Sequence, residues 1–90
     1  MTKNESLDQL FESILSLKTL EECYDFFIDI CTINEVQAMA QRLQVAQMLS
    51  QSKTYVEIAE QTKASTATIS RVNRCLQYGA GGYEIVLSRL

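Results

Sequence analysis

Proline is missing from this chain, and glycine occurs only at positions 79, 81 and 82. Because these two residues most often interrupt regular structure, their scarcity favours long uninterrupted elements. Apolar residues make up 47% of the sequence and recur with a helical period. We therefore predict an all-α fold of about six helices.

Histidine is also absent, and the three cysteines stand apart at positions 23, 31 and 75. No Cys-x-x-Cys pair occurs, so the patterns of a zinc site and of a disulfide framework are lacking, and we expect no metal and no cofactor. The cysteines are interpreted as free, buried small side chains. No nucleophile lies next to a base and no glycine-rich phosphate loop occurs, so catalysis is the least favoured function.

Long apolar runs are lacking as well, since none approaches the roughly 18 residues of a membrane span, and no signal peptide is recognised. Together with free thiols, this predicts a cytoplasmic protein without a membrane partner. A monomer of 90 residues buries only about 60% of the surface that its unfolded chain exposes. An oligomer is therefore a natural route to stability.

Positive charge is scarce overall, since the net charge is −3, which at first argues against a nucleic-acid partner. The distribution of charge changes that conclusion. Residues 1–35 carry eight acids against two lysines, a balance of −6, whereas residues 36–74 carry five basic residues against two acids, a balance of +3. The basic residues form a modest patch in the second half of the chain.

Three helices are predicted in the first half, ending at about residues 17, 31 and 51, and each begins with a residue type that can cap a helix. The capping candidates are Asn4 or Ser6, Thr19 with Glu22, and Thr32 with Glu35. On the second helix the apolar residues expected to point inward are Leu20, Cys23, Tyr24, Phe27, Ile28 and Cys31.

The third helix is apolar around more than one face, as Ile33, Val36, Met39 and Leu43 illustrate. A helix of this kind must be covered on most of its sides. In a chain this short the cover can come from a second copy of the protein, which predicts a homodimer.

After residue 53 the sequence predicts two helices joined by a tight turn. Thr54 begins a capping box with the glutamate three residues later, and the buried side of the first helix is expected at Val56, Ile58 and Ala59. A small alanine lets two nearly perpendicular helices approach each other. The turn is expected at residues 62–64.

The second of these helices is predicted to start after the capping residue Ser65 and to turn Ile69, Val72 and Leu76 inward. Its other side is short, polar or basic, which fits a recognition helix whose first residues meet base edges while basic residues meet phosphates. Taken alone, such a face could also be the solvated side of an ordinary helical bundle. The DNA-binding candidates are Lys53, Lys63, Ser65, Thr66, Ala67, Thr68, Ser70, Arg71 and Arg74.

Gly79 is the expected C-cap of the recognition helix, and two further glycines are expected to form a flexible break. A closing helix over residues 82–90 follows. Its apolar residues are Tyr83, Ile85, Val86, Leu87 and Leu90.

A family resemblance is carried by the stretches INEVQAMAQRLQVAQMLSQ, TYVEIAEQT and STATISRVNRCLQYGAGGYE. On these stretches, and over nearly its whole length, the chain resembles the Trp repressor superfamily, in particular the YerC/YecD-type Trp-repressor-like proteins of bacteria. The resemblance implies a single domain over residues 1–90 that forms an intertwined homodimer. It also implies dimerisation helices in 1–52, a helix-turn-helix in 54–78 and the closing helix in 82–90.

The family's repressor holds L-tryptophan between the dimer core and the recognition helix, and by position its two pocket arginines and pocket threonine resemble Arg42, Arg71 and Thr68. The family pattern ATIxRGxNSL is ATISRVNRCL here, so Val72 replaces a pocket glycine and Cys75 a pocket serine. A valine fills space that a flat indole needs, typically at a cost of about 1 to 3 kcal/mol, and a thiol is a weak donor. We therefore do not expect L-tryptophan to be an effector, and the sequence identifies no other. Arg71 is then expected to face phosphate, and Arg42 to pair with an acid across the dimer.

The leading hypothesis is a homodimeric, repressor-like transcriptional regulator that binds a pseudo-palindromic duplex without tryptophan, with half-sites about 34 to 36 Å apart or a multiple of that distance. The alternative, motivated by the net charge of −3, is a helical protein-interaction module that kept the fold and lost DNA affinity. An enzyme is the third and least favoured class.

The predicted turn departs from the common helix-turn-helix pattern at one residue. Lys63 occupies a position at which such segments commonly have a glycine with positive φ.

Overall fold

The structure is a computed structural model that describes residues 1–90 and contains six helices and no strand. The predicted all-α fold of about six helices is confirmed. None of the helices combines the length and the apolar character that crossing a bilayer requires. The helices are α1 (Glu5–Leu15), α2 (Leu20–Ile30), α3 (Ile33–Ser50), α4 (Tyr55–Thr62), α5 (Thr66–Tyr78) and α6 (Gly82–Arg89).

The predicted caps begin the first two helices, with one difference in their bonding. Asn4, and not Ser6, caps α1, since its side chain accepts a hydrogen bond from the backbone N–H three residues later. Thr19 caps α2 in the same way, but the carboxylate of Glu22 accepts from the N–H of Lys18 at 2.9 Å instead of from that of Thr19. The second half of the expected capping box is therefore displaced by one residue.

The long helix α3 begins at a complete capping box. The N–H of Thr32 donates to Oε1 of Glu35 at 2.7 Å, and the N–H of Glu35 donates to Oγ1 of Thr32 at 3.2 Å. The bond from the backbone of Thr32, and after it the bond with the Thr32 side chain, hold the pKa of Glu35 below its ordinary value of 4.5. An ionised carboxylate therefore fixes the start of α3.

The chain forms two compact units, residues 1–36 and residues 37–90. The first unit has no fully buried side chain. On α2, Leu20, Tyr24 and Ile28 are 76%, 64% and 65% exposed. The prediction that these three residues point inward is wrong for the single chain, because a helical period marks an apolar face without showing what covers it.

The cysteines are free, as expected, but none of them is buried. Cys23 and Cys31 are half-buried, and Cys75 is exposed on α5. The interpretation of all three as buried small side chains is therefore wrong. It relied on residue type alone, whereas burial depends on what packs against each position.

The second unit has an apolar core formed by the end of α3, α4, the turn and α5. The core residues are Val45, Ala46, Met48, Ile58, Ala64, Ile69 and Val72. The predicted inward side of α5 is confirmed, since Ile69 and Val72 are buried and Leu76 packs against them. On α4 only part of the prediction holds: Ile58 is fully buried, but Val56 is 68% exposed. Residues two positions apart lie on different sides of a helix, so these two cannot share a buried face.

Glycines mark both ends of the connection to α6. Gly79 is the C-cap of α5 as predicted. Its backbone is extended, so glycine is needed there because a side chain would not fit, and not because φ is positive. A Cβ atom there would collide with the backbone carbonyl of Cys75. Gly81 precedes α6 with φ +83°, and Tyr83 and Leu87 then pack α6 against the core.

Candidate nucleic-acid interface

The end of α3 fixes the backbone that leads to the candidate interface. Ser52 adopts φ +61°, and its N–H donates to the carbonyl of Leu49 at 3.0 Å. The N–H of Lys53 donates to the carbonyl of Met48 at 3.1 Å, which completes a Schellman motif. Lys53, a predicted phosphate contact, is the last residue of this motif and is exposed.

α4 starts at the predicted capping box. The N–H of Glu57 donates to Oγ1 of Thr54 at 3.2 Å, and the N–H of Thr54 donates to Oε2 of Glu57 at 3.4 Å. These reciprocal bonds satisfy two backbone donors that the helix cannot satisfy internally. The first turn of α4 is therefore held in place by its own side chains.

The turn between α4 and α5 has positive φ at Lys63, +62°, which is the conformation that glycine commonly supplies. The hydroxyl of the buried Thr62 donates to the carbonyl of Ile58 at 2.7 Å and accepts from the N–H of Ala64 at 3.2 Å. The amide of Gln41 donates to the carbonyl of Thr62 at 3.0 Å. Thr62 and Gln41 were not among the predicted site residues. A threonine next to a turn is a local sequence signal for bonds of this kind. A bond between residues 21 positions apart, such as that of Gln41, has no local sequence signal.

Ser65 caps α5 as predicted, and its side chain makes two hydrogen bonds with Thr68. Its Oγ accepts from the N–H of Thr68 and donates to Oγ1 of Thr68, both at 3.1 Å. The bond between the two hydroxyls uses one proton, so Ser65 and Thr68 together keep one hydroxyl proton available to a base. Thr66 is exposed and Ser70 is half-buried, so both can also offer hydroxyls to a ligand.

The outward face of α5 carries exposed side chains that are small or basic. Ala67, Arg71 and Arg74 are exposed and follow one another at spacings of four and three residues, which places them on one side of the helix. Ile69 and Val72 occupy the buried side. All nine predicted DNA-binding residues are exposed or half-buried, so each of them is accessible in the chain.

The residues of the predicted effector pocket have different environments. Thr68, Arg71 and Cys75 follow one flank of α5, the first half-buried and the other two exposed. Arg42 on α3 is half-buried. Val72 is only 1% exposed and belongs to the apolar core of the unit.

An open cavity of about 500 Å³ lies on the other flank of α5, where this helix meets α6 and the end of α3. No sequence prediction identified it, because its lining combines the end of α3 with two helices that lie much later in the chain. The lining includes Leu49, Asn73, Leu76, Glu84 and Leu87.

One hydrogen bond between side chains joins α4 to α5. The Nδ2 atom of Asn73 donates to the phenolic oxygen of Tyr55 at 3.2 Å. Tyr55 is the first residue of α4 and is 36% exposed, while Asn73 is half-buried. Neither residue was among the predicted contacts, and 18 positions in sequence separate them.

Comparisons with known proteins agree on one family. The family model described as Trp repressor protein matches residues 5–90. The uncharacterized protein YerC of Bacillus subtilis (strain 168) is 62% identical over 88 residues, which cover 98% of this chain and 85% of that protein. A crystal structure of a provisional Trp repressor from Staphylococcus aureus has a TM-score of 0.94 and 53% identity, covering 97% of this chain and 87% of that chain. A TrpR-like protein from Eubacterium eligens ATCC 27750 also has a TM-score of 0.94, with 59% identity over 97% of this chain and 90% of that chain.

Proposed function

Because this chain belongs to the Trp repressor family, we propose that it is a repressor-like transcriptional regulator that binds double-stranded DNA sequence-specifically, as a homodimer and without tryptophan. The outward face of α5 is the observation that carries this proposal. There Arg71 and Arg74 are exposed beside the short side chains of Thr66 and Ala67. Short side chains allow a helix to approach base edges in the major groove, and flanking arginines reach phosphates.

The charge of the second half of the chain supports the same function. Residues 36–74 carry a balance of +3. Lys53 precedes α4 and Lys63 lies in the turn before α5, and both are exposed. Phosphate neutralisation by lysine and arginine supplies most of the sequence-independent affinity for DNA, so basic residues at both ends of α4 favour a duplex ligand.

The first unit supports the homodimer. Leu20, Tyr24 and Ile28 leave a large apolar surface of α2 exposed in the single chain, and exposed apolar patches commonly mark protein interfaces. We assign dimerisation to residues 1–52, a helix-turn-helix to residues 54–78 and the closing helix to residues 82–90, within a single domain. In this assembly Arg42 pairs with an acid of the second copy.

Independence from tryptophan rests on the recognition helix. Val72 belongs to the packed apolar core, and its side chain fills the room that a pocket glycine would leave beside an indole. Cys75 offers a thiol where the family's pocket has a serine hydroxyl. Arg71 is exposed and is then free to contact phosphate.

Selection of bound sequences from a random duplex pool, carried out without tryptophan, tests the proposal. A two-fold symmetric consensus with half-sites about one helical turn apart, or a multiple of it, is the expected result. Enrichment that appears only when tryptophan is added would contradict the effector assignment. No enrichment under either condition would contradict sequence-specific binding.

Arg74 provides a test by mutation. Arg74→Ala should weaken binding to all duplexes by a similar factor and reduce the slope of log affinity against log salt concentration by about one. Arg89→Ala is the matched control, because Arg89 is also exposed but lies at the end of α6. An unchanged affinity and slope for Arg74→Ala would remove this residue from the interface.

A second candidate is a helical protein-interaction module that retains the fold without useful DNA affinity. The net charge of −3 and the eight acids of residues 1–35 favour it. Retention of the purified protein on random duplex DNA at low salt, with release at high salt, counts against this candidate. No retention at any salt concentration counts for it.

We also propose that the protein acts in the cytoplasm and is not an enzyme. A DNA-binding regulator works where the chromosome is accessible, and the family to which the chain belongs is one of repressors.

A further inference from the structure

The hydrogen bond between Asn73 and Tyr55 differs from the other bonds between side chains in this structure. The others join residues two or three positions apart, Ser6 with Asn4 and Ser65 with Thr68. The bond from Asn73 to Tyr55 spans 18 positions and connects two different helices at 3.2 Å. It therefore links the phenol of Tyr55 directly to α5.

The direction of this bond decides what the phenol can still do. The Nδ2 group of Asn73 donates, so the phenolic oxygen of Tyr55 is the acceptor. A phenol has one proton, and this proton is not used in the bond. Tyr55 therefore presents an oriented hydroxyl donor at a partly exposed position.

The position of this donor matches the part of a helix-turn-helix that meets the DNA backbone. In such segments the first helix crosses the backbone while the second enters the major groove. Tyr55 is the first residue of the first helix, and exposed Lys53 lies two positions before it. On α5, Ser70 precedes Asn73 by three residues and so lies on the same side of the recognition helix.

We propose that the Tyr55 hydroxyl donates a hydrogen bond to a backbone phosphate of the bound duplex, and that Asn73 is the residue that positions it. This inference rests on the proposed DNA-binding function. The contact is independent of sequence, because a phosphate oxygen carries no base identity. It is also neutral, so it releases no counterion of its own and differs in this respect from the contacts of the arginines.

Titrations of fluorescent duplexes at several salt concentrations test the inference, using the full chain with one selected and one random duplex. Tyr55→Phe keeps the ring and removes only the hydroxyl. It should weaken binding to both duplexes about tenfold, as expected for a hydrogen bond to a charged acceptor, and leave the salt slope unchanged. Arg74→Ala in the same experiment should reduce the slope by about one.

The role of Asn73 is separated from general stability by a double-mutant cycle. Asn73→Ala should weaken binding by a smaller factor than Tyr55→Phe, and it should have no further effect when Tyr55 is already phenylalanine. Equal losses from Asn73→Ala in both backgrounds would contradict the positioning role. Unchanged binding by Tyr55→Phe, with Arg74→Ala still weakened, would contradict the phosphate contact alone. Failure of the unmodified protein to bind any duplex would overturn the proposed function and this inference with it.

Discussion

Ser52 and Lys63 both adopt left-handed backbone conformations without being glycine. This conformation costs an ordinary residue about 1 to 2 kcal/mol, and glycine avoids the cost but gains entropy in the unfolded chain. We expect Ser52→Gly and Lys63→Gly each to raise the free energy of unfolding by about 0.5 to 1 kcal/mol, measured by urea denaturation. Lys63→Ala is the control, because it removes the same charge but retains a Cβ. A gain from Lys63→Ala equal to that from Lys63→Gly would show that charge, and not the backbone, is responsible.

Single residues also show why part of the site escapes prediction from sequence. The cap at Ser65 was predicted, because a capping residue and the N–H that it binds lie within one turn of chain. The bonds of Gln41 to the turn and of Asn73 to Tyr55 join helices and depend on the packed structure. Sequence patterns therefore predicted the local hydrogen bonds of the candidate interface and missed the bonds between its helices.

At the scale of the element, the capping box of α3 predicts a dependence of stability on pH. Hydrogen bonds from Thr32 lower the pKa of Glu35 in the folded protein from its ordinary value of 4.5. A carboxylate with a lowered folded pKa stabilises the folded state at neutral pH, and this contribution is lost as the pH falls from about 4.5 through the folded pKa. We expect the melting temperature to fall across this window, and Glu35→Gln to reduce the fall. Equal pH profiles for the two proteins would exclude Glu35 as a source.

Helix ends and helix faces differ in how far the sequence predicts them. The end of α1 was predicted near residue 17, but the helix ends at Leu15. Ser16 donates its hydroxyl to the carbonyl of Ser13 at 2.6 Å, and such bonds compete with the helical backbone. The faces of α2 show a larger difference, since Tyr24 and Ile28 are exposed. Periodicity predicted that these residues form an apolar side of the helix. It could not predict which surface covers that side, because this does not depend on the local sequence.

At the scale of the whole molecule, the boundary between the acidic and the basic part of the chain nearly coincides with the boundary between the two compact units. Residues 1–35 carry −6 and residues 36–74 carry +3. A uniformly acidic chain of net charge −3 would be repelled by a duplex, whereas this distribution concentrates attraction near α4 and α5. The same acids make α2 poorly suited to contact DNA, and we propose that its exposed apolar side chains contact the second copy of the chain instead.

The proposed dimer can be tested by comparing two residues of nearly equal exposure, Ile28 on α2 and Val56 on α4, which are 65% and 68% exposed. Neither lysine substitution should unfold a single chain, because a side chain so exposed leaves its charge in water. If α2 forms the dimer interface, Ile28→Lys places an unpaired charge there and should raise the dimer dissociation constant by at least about tenfold. Val56→Lys should leave the constant unchanged. Sedimentation velocity over a range of concentrations measures both, and a dimer weakened by Val56→Lys but not by Ile28→Lys would place the interface elsewhere.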